Sequence, residues 1–246
     1  MPKVVVLGYG GWVSDPAFGQ SGLVVVSDGG TTILLDAGEG TWYWLGECGL
    51  PRLPDAAIVS HGHGDHVLGV PTLVMWASYT GEKLRLWGHP SAIKAVKGLL
   101  KATWVREKFG SVVDAHPIVP GEWVRVAKDV EVLAIEALHP VPAYSFVLAV
   151  DDSIIAYSGD TRPNPAFIEA ARGADLLIHE VGVPAGQEVM AERFGHTSES
   201  EICRVVEEVS PKLFMPYHYF VSEPKIVCED IASVVRPRRC LRVDLG

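Results

Sequence analysis

No stretch of this 246-residue chain approaches the ~20 consecutive apolar residues of a membrane-spanning helix. The opening segment MPKVVVLGYGG has one lysine and a short apolar run, too short for the apolar region of a signal peptide. A cytoplasmic protein is therefore expected. Cysteine is scarce and scattered, at Cys48, Cys203, Cys228 and Cys240, with no CxxC pair. That excludes a zinc ribbon, and nothing demands disulfides. Linkers, repeats and low-complexity tracts are missing, so one domain over 1–246 is expected. Positive charge is in deficit. With 21 Lys and Arg against 30 Asp and Glu the formal charge is −9, which disfavours non-specific binding of a polyanion such as nucleic acid. Gly8-Tyr-Gly-Gly-Trp12 lacks the third glycine of a dinucleotide loop, and no helix clearly follows it.

What is present suits a large packed core: 48% hydrophobic residues against 21% charged. Short β-branched runs bounded by Gly, Asp or Ser read as strands. They fall at 4–7, 23–26, 33–35 and 57–59, and again at 130–135, 145–150, 154–157, 176–178 and 213–215. Asp28-Gly-Gly30 and Asp151-Asp-Ser153 read as hairpin turns. Three helices are expected. Ser91 would cap 92–108, Asn164-Pro165 would open a helix running to Ala171 and ended by Gly173, and Ser198 would open 199–209. Strands grouped before and after the central helices predict an α/β fold of two sheets packed face to face, with helices outside.

One segment reverses the overall charge. Residues 83–108 hold Lys83, Arg85, Lys94, Lys97, Lys101, Arg106 and Lys108 against Glu107 alone. This is either a solvated helix face or a guide for a polyanion.

The strongest chemical signal is His61-Gly-His63-Gly-Asp65-His66, directly after the apolar run 57–59. Three imidazoles and a carboxylate within six residues form a ligand set for zinc or a similar first-row metal. The glycines let the backbone turn so that the side chains converge. His61 and His63 can face one ion while Asp65 and His66 face another. Three further strand ends carry His139, Asp160 and His218, where open α/β sheets collect functional groups.

This pattern, with Asp36 ending an earlier strand, resembles the metallo-β-lactamase superfamily over nearly the whole chain. The wording is similar to the ribonuclease Z branch, the tRNA 3′-processing endonucleases. Asp36-Ala-Gly-Glu-Gly-Thr41 is like that branch's DCGEGT, and His63-Gly-Asp-His-Val-Leu-Gly-Val-Pro71 like its HGDHxxGLP. His139-Pro-Val-Pro-Ala-Tyr144 and Ser158-Gly-Asp-Thr-Arg-Pro163 also match, as do His179-Glu180 and Gly195-His196-Thr197-Ser198. The resemblance implies a metallo-β-lactamase αββα sandwich of two mixed sheets. It implies two divalent ions, zinc first, with manganese or iron as alternatives. By it, one ion takes His61, His63 and His139, the other takes Asp65, His66 and His218, and Asp160 bridges them.

Asp36 would orient ligands by hydrogen bonds, or else is a turn aspartate after a strand. The implied chemistry is attack on phosphorus by a metal-bridging hydroxide. Asp65, Glu180 and His196 are the candidate catalytic residues, with Glu180 supporting a protonated His196 as general acid. His196 could instead be a structural residue at a helix N-terminus.

The activity expected is a ribonuclease Z-like phosphodiesterase. The alternative is a hydrolase of another ester class in the same fold, arylsulfatase-like or lactonase-like. Expected partners are a phosphodiester or other ester substrate, RNA among the candidates, no membrane, and a second copy in a homodimer as one option. The branch's tRNA-gripping arm between the equivalents of His139 and Asp160 is missing here, since only 21 positions separate the two. A folded tRNA substrate therefore has less to hold it.

Overall fold

The computed structural model describes residues 1–13, 15–105, 107–226 and 228–246, with the backbone alone for 107–109. The chain begins with β1 (Lys3–Gly8), β2 (Gly22–Val26), β3 (Thr32–Leu35), α1 (Thr41–Glu47) and β4 (Ala56–Val59). It continues through α2 (Gly64–Val67), α3 (Val70–Thr80), β5 (Leu84–Gly88), α4 (Pro90–Ala102), α5 (Glu107–Val112) and β6 (Val113–Pro117). The second half comprises β7 (Trp123–Ala127), β8 (Val130–Glu136), β9 (Tyr144–Val150), β10 (Ser153–Tyr157), α6 (Pro165–Ala170) and β11 (Leu176–Glu180). Then follow α7 (Glu188–Phe194), α8 (Glu199–Val209), β12 (Leu213–Tyr217), β13 (Ser233–Val234) and β14 (Arg242–Asp244).

The strands form two seven-stranded sheets, in the orders β14-β1-β2-β3-β4-β5-β6 and β13-β12-β11-β10-β9-β8-β7. Both are mixed. In each, antiparallel hairpins give way to a parallel run, β3-β4-β5-β6 in one and β10-β11-β12-β13 in the other.

Alternation of side chains along each strand explains the layering. Val4 and Val6 join Phe146, Leu148 and Ile155 in the core between the sheets. Val5 and Leu7 point the other way and pack with Leu45, Leu73 and Val96 from α1, α3 and α4. On the far side, Ala156, Leu177 and Phe214 pack under α6 and α8 through Phe167, Ile202 and Val206. Strands covered on both faces read as continuous apolar runs, which is how they appear in the sequence.

The helix expected over 92–108 is corrected. It begins at Pro90, capped by His89, whose Nδ1 accepts from the Ser91 N–H at 3.0 Å. Pro90 has no N–H to satisfy and fits the first turn. The helix ends by Thr103, and Trp104 turns left-handed at φ 60°. Lys94, Lys97 and Lys101 lie exposed on it, whereas Lys83 and Arg85 lead into and occupy β5. Arg106 and the Lys108 side chain lie outside the described residues. The helices opened by Asn164 and Ser198 are observed, the latter with a capping box to Glu201.

The reading of the cysteines is also corrected. Cys48 pairs with Cys240 and Cys203 with Cys228, at sequence separations of 192 and 25. Such pairs carry no local spacing signal, because the tertiary path alone brings them together. Among the described residues, no helix is long and apolar enough to cross a membrane.

Candidate metal centre

The chain delivers its polar residues to one rim of the sandwich. β4 runs parallel to β3 and β5 and leads through Ser60 into His61–His66. β10, β11 and β12 run parallel and carry Asp160, Glu180 and His218 to the same rim. His139 sits in the connection between β8 and β9. That connection is tied to the Asp160 loop by Leu138 N–H donating to Thr161 Oγ1 at 3.0 Å and Arg162 N–H to Leu138 O at 3.2 Å.

Two ligand groups result, each with its ligand atoms within 4.8 Å of one another. The first is His61, His63, His139 and Asp160. His61 Nε2 lies 2.9 Å from His63 Nδ1 and 3.7 Å from Asp160 Oδ2. The second is Asp65, His66, Asp160 and His218. Asp160 Oδ1 lies 3.3 Å from both His66 Nε2 and His218 Nε2, and Asp65 Oδ2 lies 3.1 Å from His218 Nε2. A single carboxylate thus turns one oxygen to each group. Glu180, His196 and His218 make a third grouping beside these.

Hydrogen bonds aim the imidazoles. The proton positions follow from the partners. His61 Nδ1 donates to Ser60 Oγ at 3.0 Å, His139 Nδ1 to Gly195 O at 3.1 Å, and His66 Nδ1 to Asp36 Oδ2 at 2.7 Å. Each leaves Nε2 as a lone pair pointing into the centre. Asp36 is the hub behind them. It also accepts from Ser60 N–H at 2.7 Å, Ser60 Oγ at 2.8 Å and Tyr157 OH at 2.6 Å. Its backbone is left-handed, φ 56°, a conformation open to Asp and Asn.

The donor set fits divalent cations. Asp160 Oδ1 is buried with no hydrogen-bond donor, although two imidazole nitrogens stand beside it. Nε2 of His66 and of His218 face each other at 3.3 Å. Lone pairs and carboxylate oxygens crowded in this way need positive charge between them. Burial and neighbouring imidazoles push His61 well below the ordinary histidine range, and burial foremost lowers His63 and His139. Burial also opposes charge on His66 and His218, yet Asp160 raises both, joined by Asp36 and Asp65 at His66 and by Asp65 at His218. Against their own burial, Asp65 and Asp160 are held well below the usual carboxylate range by His66 and His218.

Glu180 and His196 form a second unit. His196 Nδ1 lies 3.0 and 3.1 Å from the two Glu180 oxygens. Backbone N–H groups of Thr161, Thr197 and Gly182 also donate to that carboxylate, at 2.7, 3.2 and 3.3 Å. Burial alone would lower the His196 pKa, but the Glu180 carboxylate raises it to about 9. Its neighbour His179 points elsewhere, against Phe167, with its Nδ1 on Glu180 O at 2.9 Å.

The glycine-rich turn 8–12 forms part of the rim. A Cβ on Gly11 would lie 2.8 Å from the His218 ring, so any side chain there would displace it. Gly195, at φ 73°, backs His139 in the same way, with a Cβ 2.9 Å from His139 Cα. A cleft of about 750 Å³ opens over the centre. Its walls include Trp12 from that glycine-rich turn, Leu68, and Met190, Phe194 and Phe220, the last three not anticipated from the sequence. Tyr157 was also missed, because its hydroxyl meets Asp36 only through tertiary packing across 121 positions.

The family model for the beta-lactamase superfamily domain matches residues 31–219. A ribonuclease Z of Pyrobaculum calidifontis is 28% identical over 266 aligned residues, covering 96% of this chain and 93% of its own. A metallo-beta-lactamase fold protein of Bacillus subtilis superposes with a TM-score of 0.85 at 21% identity, over 99% of this chain and 100% of the other. The short form of human tRNase Z superposes with a TM-score of 0.78 at 18% identity, over 99% of both chains.

Proposed function

The chain belongs to the beta-lactamase superfamily, and from that premise we propose a metal-dependent phosphodiesterase of the ribonuclease Z kind, with two divalent ions held by the paired ligand groups. The observation that carries this reading is Asp160, whose two oxygens divide between a three-histidine group and an Asp65–His66–His218 group. In this reading His61, His63 and His139 would hold one ion, Asp65, His66 and His218 the other, with Asp160 available to both. When bound, the ions, zinc foremost, supply an acidified water and neutralise charge on the phosphoryl oxygens.

The chain's own residues do the rest. Asp36 fixes the His66 ring and Ser60 fixes His61, so both rings present Nε2 without reorganisation. Asp65 is both a ligand and a neighbour of the reacting atoms. His196 turns Nδ1 to Glu180 and keeps Nε2 free toward the cleft. Protonated through Glu180, it can give that proton to the departing oxygen. Glu180, locked by three backbone N–H groups, keeps the imidazole in place as its charge changes.

RNA is a candidate substrate, although the chain between His139 and Asp160 holds only β9 and β10 and no inserted arm. Our reading of location stays cytoplasmic. The two disulfides would then place the chain with the disulfide-bearing intracellular proteins known from hyperthermophiles.

A substrate panel on metal-loaded protein tests the function. Turnover of bis(p-nitrophenyl) phosphate far above that of aryl sulfates and lactones is expected. Preference for either of the latter would move the protein to another ester class.

A further inference from the structure

Away from the metal-ligand groups and His196, the walls of the cleft are largely apolar and aromatic. Among the described residues, no lysine or arginine lines it. Two arginines close in sequence to lining residues have partners: Arg193 lies over the Phe194 ring, 5.5 Å from its centroid, and Arg162 pairs with Glu192 at 3.5 Å. Binding of a polyanion draws its affinity from cations that neutralise phosphates beyond the reacting one, and apart from His196 and the metal-ligand groups the lining of this cleft supplies none. The lysines of α4 lie outside its lining.

Aromatic rings stand there instead, within two residues of the polar centre. Trp12 follows Gly11, which packs on the His218 ring. Phe220 comes two residues after His218, and Phe194 two residues before His196. Trp12 and Phe220 are stacked, ring centroids 5.6 Å apart and planes 8° from parallel. Trp12 remains 65% exposed, so it keeps ring surface for a further planar group. Phe194 is 49% exposed and, with Met190, supplies an apolar wall from α7. Exposed rings of this size, gathered at a catalytic rim, mark a recognition surface rather than core. A volume of about 750 Å³ suits a small molecule and not a folded nucleic acid.

We propose that the substrate is a small phosphodiester with at least one planar aromatic arm, an aryl or nucleoside group, seated on the Trp12–Phe220 stack with Phe194 and Met190 as further apolar wall. This rests on the phosphodiesterase reading. The phosphate meets the polar centre, and the arm gains by stacking, which tolerates either kind of ring. Trp12, Phe220 and Phe194 then determine specificity without touching the reacting atoms.

The test is calorimetric binding to metal-loaded protein of four monoanionic diesters: dimethyl phosphate, methyl phenyl phosphate, diphenyl phosphate and thymidine 5′-methyl phosphate. Methyl phenyl phosphate should bind about tenfold more tightly than dimethyl phosphate, as one stacked ring implies. The thymidine ester against the phenyl ester distinguishes a nucleoside from an aryl arm, and a gain for either supports the proposal. Trp12→Ala should cut the gain to about twofold or less. Trp12→Leu, which keeps apolar bulk, should lose most of it too. Val189→Ala, 83% exposed on the same helix as Phe194, should preserve it. Circular dichroism and metal content identify any variant that has failed to fold.

Equal affinity for dimethyl and aromatic diesters would overturn the proposal. So would an aromatic gain that survives Trp12→Ala, Trp12→Leu and Phe194→Ala, or an oligoribonucleotide that outcompetes all four diesters and weakens steeply with salt. Failure of the phosphodiesterase reading looks different: no hydrolysis of bis(p-nitrophenyl) phosphate by protein that still holds its ions.

Discussion

Asp36 gives the sharpest test of how the protein prepares its centre. Its Oδ2 accepts from Ser60 Oγ, His66 Nδ1 and Tyr157 OH, and its Oδ1 from Ser60 N–H, all between 2.6 and 2.8 Å. Asn at this position suits the left-handed backbone at φ 56°, so the chain path need not change. An amide can accept on one side only. Its oxygen is best placed toward the three donors, which leaves its NH₂ against Ser60 N–H. One hydrogen bond is lost and three become neutral instead of charge-assisted. At about 1–3 kcal/mol for a buried unsatisfied donor, Asp36→Asn should cost about 3 kcal/mol of stability. His66 keeps its tautomer, so affinity for the ion it helps to hold should fall only about tenfold.

Asp36→Ala removes every acceptor, frees the His66 ring and adds strain from a left-handed alanine of about 1 kcal/mol. Affinity for that ion should then fall about 100-fold, while the His61–His63–His139 ion is lost less readily. Competition with a chromophoric chelator, read as two separate binding steps, measures this directly. Wild-type affinity at both steps in Asp36→Ala would refute the argument that this hydrogen-bonded hub organises the centre.

Asp160→Ala should abolish nearly all turnover, and elemental analysis should drop from about two ions per chain, because its two oxygens serve both ligand groups; two retained ions would contradict the shared role. His196→Ala should cost about 10²–10⁴-fold in kcat with metal content unchanged, as for loss of a general acid. Since the Glu180 carboxylate raises the His196 pKa to about 9, the acid is present below that pH and activity falls as pH rises through it. Glu180→Gln should move this alkaline limb to lower pH, and an unmoved limb in a pH–rate profile would remove Glu180 from the role. The disulfides should each stabilise the fold through the unfolded chain. Cysteine-to-serine pairs should cost about 3.5 kcal/mol at Cys203–Cys228 and about 5 kcal/mol at Cys48–Cys240 in denaturant melts, if loop closure governs the effect; losses under 1 kcal/mol at both would show that it does not.

Much of this protein is written locally. β-branched runs specified most of the strands, because a strand buried on both faces needs apolar residues at every position. β5, β6, β7, β13 and β14 were not legible. Lys83 and Arg85 made the β5 segment read as the flank of a basic helix, and β7 alternates exposed and half-buried residues at a sheet edge. The caps at Asn164 and Ser198 were legible because a cap is a contact over two or three residues. The His61–His66 cluster declared itself for the same reason, as did Asp160 and His218 at strand ends.

What only the tertiary structure decided are the relations across distance. The resemblance implied that His61 meets His139 and His66 meets His218, but the contacts themselves arise because the two sheets bring parallel strand ends and the β8–β9 connection to one rim. The Tyr157 hydroxyl finds Asp36 from the opposite sheet. Cys48 finds Cys240 across 192 positions, and Trp12 finds Phe220. None of these pairs has a spacing that a sequence could display. Periodicity reports which face of its own element a residue occupies, whereas its neighbour across the cleft is set by the packing of the two sheets.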